Sequence, residues 1–141
     1  MLLLIAIGGA LGSVARYLSS AAINNIVKNI NSDVQSFWHK SPFFLSYFPY
    51  STLFVNVTGS MLAGVIYFFC INSANFNDNL RNFLIVGFLG GFTTFSAFSL
   101  DFFRLFSAQQ YLQALIYALA SVTLAIGAIF LGYFIMKFLF A

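Results

Sequence analysis

The residues with the clearest potential for chemistry lie in one stretch, Gly87 to Asp101, which reads GFLGGFTTFSAFSLD. Within an otherwise apolar helix it holds two adjacent glycines, Gly90 and Gly91, followed by the hydroxyl residues Thr93 and Thr94. Inside lipid, a break in a helix is tolerated only where the freed backbone groups face protein, water or an ion. A break at the glycines therefore predicts a permeation or ion-binding site near the membrane midplane.

The break and the aromatic residues after it suit ions of opposite charge. Unwinding at the glycines would free carbonyl oxygens, which are suitable ligands for a hard monovalent cation such as sodium. Phe95 and Phe98 project from neighbouring positions on one helix face. Because the edge of a phenyl ring carries partial positive charge, ring edges facing a narrow path could coordinate a small dehydrated anion. In a chain with 20 phenylalanines, a pair in the core or facing lipid is the alternative.

Other polar side chains lie inside the apolar stretches. Arg16 must pair, snorkel or face water, and it either snorkels, supplies positive potential for an anion or locks an interface. The Asn56 amide either bonds across a helix interface or donates to an anion. Near the C-terminus, Tyr117 and Ser121 are four residues apart and so share one helix face. Ser99 adds a further hydroxyl beside the predicted break.

These residues must be positioned by membrane-spanning helices. The chain is 61% hydrophobic and 6% charged, with a mean hydropathy of +0.93, which is far from the composition of a soluble domain. A helix needs about 20 apolar residues to cross the hydrocarbon core. Four stretches meet or approach that length, at about 2–26, 51–71, 82–104 and 110–138. The sequence predicts an all-α membrane protein, with residues 1–141 forming a single four-helix transmembrane domain.

The connections and small residues predict how these helices pack. Residues 27–50 are a mixture of polar and aromatic residues and contain Pro42 and Pro49. A long loop with an interfacial segment is therefore expected there. The other connections are short, which favours antiparallel neighbouring helices. Small residues at helical spacing allow close helix contact. They are Gly8 and Gly12 in the first span, Ser60 and Gly64 in the second, and Ala120, Gly127 and Ala128 in the fourth.

The positive charges do not favour either orientation in the membrane. Four spans place Arg81 and Lys137 on one side and Lys28, Lys40 and Arg104 on the other. That balance is too even for the positive-inside rule, so the chain is expected to insert in both directions.

Composition also disfavours several classes of function. The six scattered cations form no cluster of the kind that binds nucleic acid. One histidine, and no glutamate to pair with the three aspartates, argue against an enzyme. The lone cysteine, Cys70, indicates neither a disulfide nor a metal site.

Three blocks of this sequence resemble the signature blocks of the Fluc (CrcB) family of fluoride channels. They are GGALGSVARY at 8–17, TLFVNVTGSMLAG at 52–64 and GFLGGFTTFSAFSLD at 87–101, in the family's order. The resemblance covers essentially all four spans. It implies an antiparallel, dual-topology homodimer in the cell membrane, inner or plasma. It also implies two fluoride pores, a central structural sodium ion and passive export of fluoride, which confers fluoride resistance.

The resemblance also implies roles for individual residues. Phe95 and Phe98 match the pore-lining phenylalanines and Asn56 the pore asparagine. The backbone carbonyls of Gly90 and Thr93 match the sodium ligands. Arg16 matches the first-span arginine, which has an electrostatic or interface role. Thr94 and Ser99 match positions beside the pore. Tyr117 and Ser121 match the polar track of the fourth span.

Two other functions fit four short spans. A small multidrug-type exporter also uses dual topology, but it needs a carboxylate inside the membrane to exchange protons for substrate. This chain has no glutamate, and its aspartates lie in a loop or near span ends. An accessory membrane subunit would explain the small-residue interfaces, yet it would leave the predicted break without a purpose.

Overall fold

The computed structural model describes residues 1–38, 48–73 and 76–140. Within these ranges the chain is almost entirely helical. In chain order the elements are α1 (Leu2–Trp38), α2 (Tyr50–Asn72), α3 (Asp78–Arg81), a π-helical segment (Asn82–Leu89), α4 (Gly90–Phe92), α5 (Phe95–Ser107) and α6 (Tyr111–Phe140).

Four of the apolar stretches are long enough to cross a membrane, as the composition predicted. They are Leu2–Asp33, Tyr50–Asn72, Asp78–Ser107 and Tyr111–Phe140. The third of these, here called the third span, joins α3, the π segment, α4 and α5. The expectation of an all-α protein with four long apolar helices is confirmed for the described residues.

The first helix is longer than the sequence suggested. It continues to Trp38, so the predicted loop at 27–50 is wrong over its first part, while residues 39–47 lie outside the described ranges. Thirty-seven residues of helix extend about 55 Å at about 1.5 Å per residue, against a hydrocarbon core of about 30 Å. The asparagines near Lys28, and Lys28 itself, make this part of α1 polar. They do not end it, because polar residues are compatible with a helix in water.

The helices pack as two close pairs. α1 lies against the π segment and α4, whereas α2 lies against α6. Glycines bring the backbones together in both pairs. A Cβ atom added at Gly12 would overlap the carbonyl oxygen of Phe88, and one added at Gly64 would overlap the carbonyl oxygen of Ile129. Such close approach is how helices associate where no hydrophobic effect drives them together.

The fourth span uses a different glycine from the one that spacing suggested. Gly127 has no atom within 4 Å of its added Cβ, so it is not at a helix contact within the described chain. Gly132 is buried instead, and a Cβ there would overlap the carbonyl oxygen of Met61. α2 and α6 therefore meet through a reciprocal pair, Gly64 and Gly132.

This difference gives a matched test of packing. We expect Gly132→Ala to lower the free energy of unfolding by about 1–3 kcal/mol, the usual cost of overpacking a tight contact, because backbone atoms must move apart. Gly127→Ala adds the same methyl group to the same helix, with the same gain in helix propensity but no overlap, and should not lower stability. Thermal unfolding of the purified protein in one detergent would compare the two. Equal melting temperatures for the two variants would contradict the contact.

The π segment leads directly into the region of interest. Its winding is wider than that of an α-helix, and at its end the N–H of Gly90 donates to the carbonyl oxygens of Ile85 and Gly87. π turns inside helices are uncommon and occur frequently at functional sites. Here the segment faces α1 through Gly87, which is buried against Gly8.

Candidate functional site

The third span is interrupted at Thr93 and Thr94. α4 ends at Phe92, and the backbone is extended at Thr93 (φ −79°, ψ 159°) and at Thr94 (φ −154°, ψ 118°) before α5 begins. Gly90 is helical, with φ −61° and ψ −36°. The prediction that the helix unwinds at the two glycines is wrong in position, because the extended residues are the threonines just downstream.

Gly91 serves close approach instead of unwinding, and so does Gly59 on α2. A Cβ atom at Gly91 would overlap the carbonyl oxygen of Gly9 on α1. A Cβ atom at Gly59 on α2 would overlap the side-chain methyl of Thr93. Because Gly91 and Gly59 have no side chain at these points, α1 and α2 pack closely against the interruption from two sides.

Asn56 holds the interruption in place. Its Nδ2 donates to the carbonyl oxygen of Thr94 at 3.0 Å, and the N–H of Thr94 donates to its Oδ1 at 2.8 Å. In a continuous helix that N–H would donate to the carbonyl of Gly90, four residues earlier. The amide of Asn56 thus replaces a helical partner, and the Gly90 carbonyl loses its helical donor.

Arg16 approaches the interruption from α1. Its Nη1 donates to the carbonyl oxygen of Thr93 at 3.3 Å, a long hydrogen bond, and the residue is half-buried. An arginine within a spanning helix is costly unless its charge finds a partner or water. Here a positive guanidinium lies beside the extended backbone of the third span.

The two threonine hydroxyls bond within the third span. Thr93 Oγ1 donates to the carbonyl oxygen of Leu89 at 2.9 Å, one turn back. Thr94 Oγ1 accepts the N–H of Ala97 at 3.1 Å and so caps α5. The cap fixes where the second half of the span begins, and therefore where its positive helix terminus points.

The phenylalanine pair begins an aromatic group. The ring centroids of Phe95 and Phe98 are 5.4 Å apart, and those of Phe98 and Tyr117 are 5.2 Å apart. Phe95 is 78% exposed in the single chain, whereas Phe98 is half-buried. Ser99 is exposed, and its Oγ donates to the carbonyl oxygen of Phe95 at 3.0 Å, so its hydroxyl is bonded within its own helix.

Two hydroxyls of the fourth span are buried. Tyr117 is 0% exposed and Ser121 is 7% exposed, and among the described residues neither hydroxyl has a hydrogen-bond partner. Buried polar atoms are almost always bonded to protein or to water, so a pair without partners indicates room for a water molecule or an ion.

Two residues beside Tyr117 were not identified from the sequence. Thr52 Oγ1 donates to Asp101 Oδ2 at 2.6 Å, and Arg104 Nη1 lies 3.4 Å from Asp101 Oδ1. Both Thr52 and Asp101 are near the phenol of Tyr117. A signal was present, because Asp101 is the one carboxylate that follows the phenylalanine pair on the same helix.

Most of the predicted site residues line one cavity of about 490 Å³. Those on its wall are Asn56, Gly90, Thr93, Thr94, Phe95, Phe98 and Ser121. Arg16 reaches the same interruption from outside the cavity, through its hydrogen bond to Thr93. Ser99 and Tyr117 are not part of the lining. Leu89, Val122, Ala125 and Ile126 make most of the remaining wall apolar.

Similarity to known proteins shows the family of this chain. The model of the family described as CrcB-like protein, Camphor Resistance (CrcB), matches residues 3–133. A protein named fluoride-specific ion channel FluC from Rhizobium meliloti (strain 1021) is 41% identical over 96% of this chain and 95% of its own. One of the same name from Caulobacter sp. (strain K31) is 39% identical, over 99% and 97% respectively. The chain therefore belongs to the CrcB family.

Proposed function

We propose that this protein is a fluoride channel and that it moves fluoride passively across the cell membrane, inner or plasma. One observation carries the proposal: a backbone interruption bound by Asn56 opens onto a cavity whose wall includes Phe95 and Phe98. Relatives over nearly the full chain carry the name fluoride-specific ion channel.

The site suits a small anion for electrostatic reasons. Arg16 and the N-terminus of α5 both contribute positive potential near the interruption. The rings of Phe95 and Phe98 present edges of partial positive charge without strong hydrogen-bond donors. Such a lining would stabilise a dehydrated halide while leaving it weakly enough held to move on, as conduction requires. Moving an ion along such a lining makes and breaks no covalent bond, so the proposed function is transport and not catalysis.

We propose further that the working form is an antiparallel homodimer with two pores. The single chain leaves Phe95 78% exposed at the cavity, which calls for a second surface to close the path. The even distribution of positive charge is what dual topology requires, because neither orientation is preferred. Cross-linking in native membranes that yields only monomers would contradict the dimer.

The carbonyls of Gly90 and Thr93 fit a structural sodium ion. The Gly90 carbonyl has lost its helical donor to Asn56, and the Thr93 carbonyl accepts only a long bond from Arg16. Oxygen ligands of this kind suit a hard cation. These residues would hold the ion, which would supply positive charge at the centre of the dimer. Unchanged dimer stability when sodium is replaced by N-methyl-D-glucamine would argue against it.

Flux from liposomes tests the proposed function. Vesicles loaded with potassium fluoride and containing the protein should release fluoride when valinomycin carries potassium out, whereas vesicles loaded with potassium chloride should retain chloride. Release should continue without a proton gradient, which separates a channel from a proton-coupled exporter. Equal release of both halides, or none of fluoride from correctly assembled protein, would overturn the proposal.

A further inference from the structure

A turn at Pro49 directs Phe48 towards the interior. Pro49 has φ −82° and ψ 67°, and the N–H of Tyr50 donates to the carbonyl oxygen of Phe48 at 2.9 Å. These values describe an inverse γ-turn, and the proline ring restricts the turn's central torsion angle. The turn immediately precedes α2, so the helix start and the direction of Phe48 are fixed together.

The turn brings the Phe48 ring onto Tyr117. Their centroids are 5.6 Å apart with an interplanar angle of 87°, an edge-to-face contact, and the Phe48 ring also lies 4.8 Å from that of Tyr50. Phe48 thereby extends the aromatic group of the site. We call the series Phe95, Phe98, Tyr117 and Phe48 the aromatic row, with successive centroid distances of 5.4, 5.2 and 5.6 Å.

The aromatic row runs past the end of the cavity. The cavity wall includes Ser121, one turn from Tyr117 on α6, but Tyr117 itself is fully buried and lines no part of it. Among the described residues the buried hydroxyls of Tyr117 and Ser121 have no hydrogen-bond partner, and Thr52 and Asp101 also lie near the phenol. Polar groups therefore continue beyond the cavity, towards the Tyr117 ring that Phe48 covers.

We infer that Phe48 is a positioning residue that closes the ion path at the Tyr117 end by holding the Tyr117 ring in place. This inference rests on the proposed function, since it assigns a barrier on the path of the same ion. An ion leaving the cavity past Ser121 meets the Tyr117 ring, whose movement is opposed by the Phe48 edge. Phe48 is half-buried, and its edge-to-face contact adds to the packing of Phe98 and Leu105 around the Tyr117 ring.

Removing the ring should speed transport. We expect Phe48→Ala to raise the initial rate of fluoride release per assembled dimer by about 2- to 10-fold, the range that corresponds to one aromatic pair. Chloride should still be excluded, because the lining at Phe95 and Phe98 is untouched. Phe48→Tyr keeps the ring edge and should therefore keep the original rate. Phe48→Leu removes the ring but retains more side-chain volume, and it replaces the alanine variant if that variant assembles poorly.

Phe69→Ala is the matched control. Phe69 is also half-buried and also contacts two rings, Phe68 and Phe140, at 5.6 and 5.7 Å, but it does not belong to the aromatic row. Its replacement should leave the rate unchanged. A rate for Phe48→Ala equal to or below that of the unmodified protein, at equal amounts of dimer, would overturn the inference.

A second measurement does not depend on conduction. Nitration of tyrosine by tetranitromethane, located by mass spectrometry, should increase at Tyr117 in Phe48→Ala but not in Phe69→Ala. Tyr67, which is 55% exposed, provides an internal reference for reagent access. If the unmodified protein released no fluoride, the proposed function would fail while nitration still reported on the shielding of Tyr117. Unchanged nitration at Tyr117 in Phe48→Ala would overturn the inference by itself.

Discussion

Replacing Phe98 by isoleucine is expected to reduce fluoride release from liposomes by about 100-fold, with the amount of assembled protein unchanged. Isoleucine retains an apolar side chain but has no ring, so the partial positive charge of the ring edge is lost. Loss of one oriented electrostatic partner at a preorganised site typically costs about 10²- to 10³-fold in rate. Phe98 lines the cavity and lies between Phe95 and Tyr117, so its ring is central to the aromatic group of the site.

Phe103→Ile is the control for this prediction. Phe103 belongs to the same helix, is 64% exposed and is absent from the cavity wall. Its replacement removes a ring of the same size without changing the lining, and the rate should stay close to that of the unmodified protein. If Phe98→Ile conducted as well as Phe103→Ile, Phe98 would be a packing residue and its ring would have no part in anion recognition.

Asn56→Leu is expected to destabilise the protein by about 2–6 kcal/mol and to abolish fluoride release. Both backbone groups of Thr94 depend on the Asn56 amide, and leucine would leave an N–H and a carbonyl without partners. Each polar group orphaned away from water costs about 1–3 kcal/mol. The third span would then regain helical bonding across the threonines or recruit water, and either change would alter the cavity.

Asn72→Leu provides a matched comparison on the same helix. Among the described residues the Asn72 amide donates to the carbonyl oxygen of Phe68, one turn back on α2, and Asn72 is exposed. Its loss should therefore have little effect on stability or on transport. Chemical denaturation of both variants in detergent measures the difference, and similar free energies of unfolding for the two would show that Asn56 does not support the interruption.

The sequence identified the polar residues of the site because lipid makes them conspicuous. An arginine or an amide in an apolar stretch needs a partner, and Arg16 and Asn56 both have one at the interruption. The location of the interruption was misjudged because glycine has two uses. Gly91 was interpreted as flexible backbone, but its missing side chain allows contact with Gly9. Spacing along one helix does not reveal what faces it from another.

Pairings between distant elements were also beyond the reach of sequence patterns. Thr52 and Asp101 form a short hydrogen bond across two helices, a pairing that neither segment shows on its own. The continuation of α1 to Trp38 was missed for a different reason. Polarity marks the edge of the bilayer, whereas helix ends are determined by backbone bonding and capping, so the two boundaries need not coincide.

The interruption at Thr93 and Thr94 has a mechanical consequence for the bilayer. α4 and α5 are joined there by extended backbone, while α6 runs for 30 residues without a break. When lipid thickness changes, an unbroken rod must tilt as a whole. The jointed span would instead have to change its angle at the two threonines, and the hydrogen bonds of Asn56 and Thr94 that hold the joint resist that change where α5 begins.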